Sequence, residues 1–134
     1  MTTANQPERT QPTAPTTVTA PTAPSPDLWP TIDALSTWLD ANQARGGHEA
    51  LLVRVLKLSE EVGEVAQAVI GATGQNPRKG ASHTWDDVRS ELCDVAITAL
   101  VALRTLTPEP EAVFARHLGR VAQRSLGSTG DQPE

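Results

Sequence analysis

Between His48 and Ile70, the residues Leu51, Val55, Leu58, Val62, Val65 and Val69 recur at alternating four- and three-residue steps. That spacing returns an apolar side chain to one helix face every turn, whereas a half-buried strand would repeat every second residue. It predicts a long amphipathic helix with a bundle-type seam. No other segment alternates as a strand does, and three more segments read as helical. Ile32, Leu35 and Leu39, flanked by Trp38, mark one helix over about 31–44, which Gly46 and Gly47 end. Thr84, with Asp87 three residues on, reads as the N-cap and capping-box pair of a helix from Trp85 to about Leu106. From Leu92 to Leu103 that helix is apolar on nearly every side, which predicts burial all round. Thr107 and Pro108 restart the chain as a last helix ending near Leu126 and Gly127. The expected fold is all-α, a four-helix bundle.

The helices occupy 28–126. Residues 1–27 are dominated by Thr, Pro, Ala and Gln, and 127–134 are similarly poor in large apolar side chains. Such segments bury too little to offset their ordering entropy and are expected to be disordered tails. A core built from about 100 residues is small, and oligomerisation would enlarge it. The net charge of −5 argues against a nucleic-acid polymer as partner. It does not oppose binding of a single nucleotide, because a metal can supply the positive charge. The one cysteine, Cys93, excludes an intrachain disulfide, fits a reducing cytoplasm and is expected to be buried within its apolar run. No apolar stretch approaches the ~20 residues a membrane span needs, and the N-terminus lacks the pattern of a secretory signal. A cytoplasmic protein with no membrane partner is expected.

Two segments carry paired carboxylates. The second helix contains Glu61 and Glu64, preceded by Glu60, and the third contains Glu91 and Asp94. A three-residue step returns to within ~60° of the same helix face, so each pair projects together and two packed helices can aim both pairs at one point. Two carboxylates ~4 Å apart repel by about 4 kcal/mol at an effective dielectric of 20, and only Lys57 lies close in helix register. Convergence would therefore require protons or a hard cation. An all-oxygen ligand set selects Mg²⁺, Mn²⁺ or Ca²⁺ over zinc, and neither segment has the Glu-x-x-His of a di-iron bundle. The competing reading is four ordinary solvated carboxylates on two amphipathic helices. Repetition of the same step on separate helices, the second strongly apolar, weighs against it because charge is costly among apolar side chains. The residues alone leave both readings open.

The runs Leu58-Ser59-Glu60-Glu61-Val62-Gly63-Glu64-Val65 and Glu91-Leu92-Cys93-Asp94-Val95 resemble the EExxE and ExxD signature of the MazG-like all-α nucleoside triphosphate pyrophosphohydrolases. The resemblance covers about residues 31–106 and includes the helix order. It implies helical hairpins that pair into a homodimer or homotetramer. It implies Mg²⁺, with Mn²⁺ as a substitute, held by Glu61, Glu64, Glu91 and Asp94. It also implies cleavage between the α and β phosphates to a nucleoside monophosphate and pyrophosphate. Glu60 matches the leading Glu of the motif, which gives it a second metal or the attacking water to orient, so Glu60 and Glu61 are the catalytic candidates. Thr98 stands where dCTP-cleaving relatives tend to have an aromatic residue, which leaves the nucleobase open.

Lys57, Arg78 and Lys79 are the substrate-binding candidates. Arg78 and Lys79 lie in the loop between the acidic helices, where a phosphate clamp competes with a solvated turn. Lys57 equally suits a simple ion pair with Glu61. Gly63, inside the second helix, suits a close helix crossing or room beside a ligand. Arg116, Arg120 and Arg124 recur every fourth residue on the last helix and read as a solvated face. Trp38 and Trp85 read as core, and His83 as having no specific role. Two other functions fit the same sequence. One is a phosphoribosyl-ATP pyrophosphohydrolase-like enzyme, and the other is a non-catalytic helical dimer that binds a nucleotide or a partner.

Overall fold

The computed structural model describes residues 26–127, all-α within them, with four helices: α1 (Leu28–Asn42), α2 (Gly47–Ala72), α3 (Trp85–Leu106) and α4 (Pro110–Leu126). Apart from 26, 27 and 127, the stretches expected to be tails lie outside the described residues. α3 starts at the capping signal. Asp87 donates its backbone N–H to Thr84 Oγ1 at 3.2 Å, and Thr84 returns its own N–H to Asp87 Oδ2 at 2.7 Å. The Thr84 N–H and then the Thr84 hydroxyl, which donates to Oδ2 at 2.9 Å, hold the Asp87 carboxyl below its ordinary range. α1 starts ahead of the expected Thr31, because Pro30 needs no hydrogen-bond partner in a first turn. Pro110 opens α4 in the same way.

α2 and α3 form an antiparallel hairpin and share the most extensive packing; α1 lies against α3, and α4 touches α3 lightly. α4 also meets α1 through an edge-to-face contact of Trp29 with Phe114, ring centroids 5.9 Å apart. The buried apolar residues are Ile32, Ala50, Ala68, Val88, Val101 and Ala102, so most of the core is made of small side chains. Small residues let α2 and α3 approach closely, but they bury little area, and burial is worth roughly 25 cal/mol per Å². No helix among the described residues is long and apolar enough to cross a membrane.

The inward face of α2 differs from the expected seam. Ala50, Arg54, Glu61, Ala68 and Gly71 are the buried residues of this helix, while Val55 and Val62 of the predicted stripe are 44% and 54% exposed. The periodicity identifies an apolar face but not which face meets α3. α3 is likewise not buried all round: Leu92 and Ile97 remain exposed, and so does Cys93, against expectation. Trp38 and Trp85 are exposed rather than core. For α2 and α3, the described helices leave one side of the hairpin uncovered.

Arg54 ties the three inner helices together. It is 5% exposed and donates to Thr105 Oγ1 on α3 at 2.7 Å. On the other side it pairs with Asp40 of α1, also at 2.7 Å, and reaches Gln43 Oε1 at 3.4 Å. Arg104 on α3 adds a second tie to α1 through Asp33, at 2.6 Å.

Candidate metal centre

The middle of the α2–α3 hairpin carries the acidic residues. Glu61 and Glu64 lie one turn apart on α2 and face Glu91 on α3; each of the three offers a carboxylate oxygen within 4.8 Å of the others'. Glu61 is buried, and Glu64 and Glu91 are half-buried. Burial of Glu64 first, then the negative charge and hydrogen bond of Glu61 and the charge of Glu91, push its carboxyl above the ordinary range. It therefore keeps its proton to higher pH than a solvated Glu would. The trio needs positive charge that the chain only partly supplies.

That partial supply is Lys57, whose Nζ lies 2.9 Å from Glu60 and 3.0 Å from Glu61. Hydrogen bonds to Glu60 and then Glu61 raise its pKa, so the ammonium is fixed as a permanent cation at the edge of the trio. The expected ion pair with Glu61 is present, and Glu60, exposed, is held by the same ammonium. Asp94, one turn beyond Glu91, is exposed and stands outside the 4.8 Å group. Of the four expected ligands, three are brought together.

The donor set suits a hard divalent ion. Oxygens on opposite sides of Mg²⁺ are about 4.2 Å apart, and across Ca²⁺ about 4.8 Å, so small side-chain movements would close the trio on one ion. Three carboxylates with no nitrogen or sulfur ligand are poorly suited to zinc or copper.

Two concavities flank the trio along the hairpin. Toward the chain-start end of α2 lies a cavity of about 290 Å³ between α1, α2 and α3. Leu35, Trp38, Ile97 and Val101 make its apolar wall, and Lys57 and Thr98 lie at its lining near the acidic residues. Trp38, expected in the core, is thus a wall of this cavity. Toward the other end, a pocket of about 280 Å³ lies between the last turns of α2 and the loop 73–84, and Lys79 contributes to its lining. Arg78 and Lys79 are exposed and make no ion pair among the described residues, while Arg45, Arg54, Lys57, Arg89 and Arg104 are each paired with a carboxylate.

Gly63 has open space where a side chain would stand, so no close helix crossing explains it. The glycine in tight contact is Gly71, where a Cβ would collide with the His83 ring. Sequence reasoning missed this pair because nothing in a Gly-rich loop announces which glycine is packed against. The last α4 Arg residues lie away from the trio, with Arg120 and Arg124 lining a separate shallow pocket beside His117. No family model, curated protein or solved structure matches the chain.

Proposed function

We propose that the protein is a Mg²⁺-dependent nucleotide pyrophosphohydrolase that cleaves a nucleoside triphosphate between its α and β phosphates. The observation that carries this reading is the convergence of Glu61, Glu64 and Glu91 from two helices on a space fit for one hard cation. The flanking cavity, apolar with Lys57 at its inner edge, matches a nucleoside whose first phosphate lies at the acidic residues.

Glu61, Glu64 and Glu91 would hold the ion, with Asp94, within one helical turn of Glu91, as a further ligand that the ion's positive charge would draw inward. When bound, Mg²⁺ or Mn²⁺ supplies neutralisation of phosphate charge and acidifies water. In the reaction a water oxygen bonds to the α phosphorus, and the bond to the α–β bridging oxygen breaks. Its electron pair leaves on pyrophosphate, and the water proton passes to a carboxylate. Glu60 is that base: it lies outside the ligand trio and its carboxylate is accessible. Lys57 holds Glu60 and Glu61 in place and offers its ammonium to the phosphate. Arg78 and Lys79 draw the anionic substrate toward an otherwise acidic chain. A second copy would cover the exposed apolar side of α2 and α3, giving the homodimer or homotetramer in which the protein acts in the cytoplasm.

A pyrophosphate-release screen over nucleoside triphosphates, with and without Mg²⁺, tests the reading. Metal-dependent release by the wild type, reduced more than about 100-fold in Glu61→Gln with helicity intact, is expected; 100-fold is already the upper range for disturbing only a ligand's support. Turnover of phosphoribosyl-ATP alone would transfer the same chemistry to that substrate. Magnesium-dependent nucleotide binding without any release would leave a binding protein and defeat the hydrolase reading.

A further inference from the structure

The pocket at the loop end of the hairpin has a lining opposite in character to the trio. Gln67, Asn76, Lys79, Ser82 and His83 line it beside Ile70 and Gly71, and none of these is a carboxylate. In a chain of net charge −5, a concavity that gathers an ammonium and several polar side chains beside one apolar residue, and holds no acid, suits an anion.

The loop that builds it is held by its own hydrogen bonds. Asn76 accepts from Lys79 N at 3.2 Å and Gly80 N at 2.9 Å through its carbonyl, and its side chain accepts from Arg78 N at 3.1 Å. Ser82 N donates to Gly71 O at 3.1 Å, pinning the returning strand of the loop to the end of α2. Gly80 sits at φ +61°, where a side chain would be strained. The Ser82 hydroxyl and His83 Nδ1 lie 3.0 Å apart. If the hydroxyl donates, Nε2 carries the ring hydrogen; if Nδ1 donates, the hydroxyl hydrogen is free. Either tautomer leaves one donor for a ligand. The ring can lie there only because Gly71 has no Cβ.

Position supplies the second half of the inference. Gly71 follows Glu64 by two helical turns, so it lies on nearly the same face of α2, ~10 Å along the axis at 1.5 Å per residue. The apolar cavity lies on the other side of the trio. Cavity, carboxylates and pocket therefore follow one another along the same side of α2.

We propose that Lys79, Ser82 and His83 form a diphosphate site that receives the two phosphates remote from the nucleoside and holds pyrophosphate after cleavage. Its use in turnover rests on the hydrolase reading, but its affinity for pyrophosphate does not. The site needs no metal: an ammonium, a hydroxyl or ring donor and the amides of Asn76 and Gln67 meet the oxygens directly.

The test is calorimetric titration of the full chain with inorganic pyrophosphate in excess chelator, for the wild type and for Lys79→Gln, His83→Gln, Gly71→Ala and Glu61→Gln. Pyrophosphate binding by the wild type and by Glu61→Gln, weakened about tenfold or more in each of the other three, is expected from loss of one charged hydrogen bond or of the ring's position. No binding by the wild type, or equal binding by all five proteins, would overturn the site. Should Gly71→Ala lose its helicity, Lys79→Gln decides, since Lys79 is exposed on the loop. Pyrophosphate binding without turnover of any nucleotide would defeat the hydrolase reading and leave this site standing. Turnover with product inhibition by pyrophosphate unchanged in Lys79→Gln would do the reverse.

Discussion

The two faces of α2 divide its residues against the usual pattern. The inward face holds a buried arginine and a buried glutamate among alanines and a glycine, and the outward flank shows Leu52, Val55, Leu56 and Val62 to solvent. In a self-sufficient bundle the branched side chains would face the partner helix and the charges would face water. Here the interior is arranged around charge, and the apolar surface that would ordinarily make the core remains exposed. On the proposed function the difference separates two jobs on one helix: the inner face would build the site, and the outer face would meet a second copy.

The outer face offers the largest effect by which to break that comparison. Leu56 is 67% exposed and Val62 54%, so Leu56→Glu or Val62→Glu costs a single chain little. If a second copy covers them, either change should raise the dimer dissociation constant by about 30-fold or more, the 2 kcal/mol scale of an interface hot spot. Analytical ultracentrifugation measures it. A wild type that sediments as a monomer at all concentrations would remove assembly from the account.

The inner face sharpens the comparison through Arg54. Removing its carboxylate partner leaves a buried charge held only by Thr105 and Gln43, while removing the arginine leaves Asp40 in water, where its side chain is 68% exposed. Asp40→Ala should therefore destabilise more than Arg54→Met, by about 2 kcal/mol against less than about 1 kcal/mol. Urea unfolding of the two variants checks the order, and equal losses would mean that the ion pair is as well screened as a surface pair.

A smaller effect belongs to the start of α3. Thr84→Ala should cost about 1 kcal/mol by removing the N-cap acceptor. The Asp87 half of the same cap carries a pH signature. Its folded pKa lies below the ordinary 3.8, so its contribution is present above that value and is lost as pH falls through the lower folded one. Urea midpoints measured from neutral pH down into that acid range should show a steeper decline for the wild type than for Asp87→Asn.

What could be read from the sequence follows from how local each signal is. The capping pair Thr84 and Asp87 is a contact three residues long, and α3 starts where it says. The three-residue steps of Glu61 with Glu64 are equally local, and their meeting with Glu91 needed only that the two helices form a hairpin. The seam was read only in part, because a periodic stripe carries no label for its partner: Leu51, Leu58, Val65 and Val69 are half-buried, Val55 and Val62 are exposed, and Arg54, which no motif marks, is buried. Asp94 shares the spacing of Glu91, yet its carboxylate stays in solvent, since a spacing fixes a direction only to within ~60°. Gly71 with His83 was invisible for a different reason, since a close approach across a loop depends on backbone geometry that residue types do not encode.

The account turns on whether the three glutamates hold one divalent ion. Thermal unfolding with added Mg²⁺ or Mn²⁺ measures this without any assumption about substrate, because an ion that binds only the folded chain stabilises it by mass action. The wild type should melt progressively higher as metal is added, while Glu61→Gln and Glu91→Gln should gain nothing from metal; Glu91→Gln, relieved of repulsion without losing an ion pair, should melt no lower than the wild type in chelator. A wild type indifferent to metal, or variants that gain as much from it as the wild type, would contradict the account.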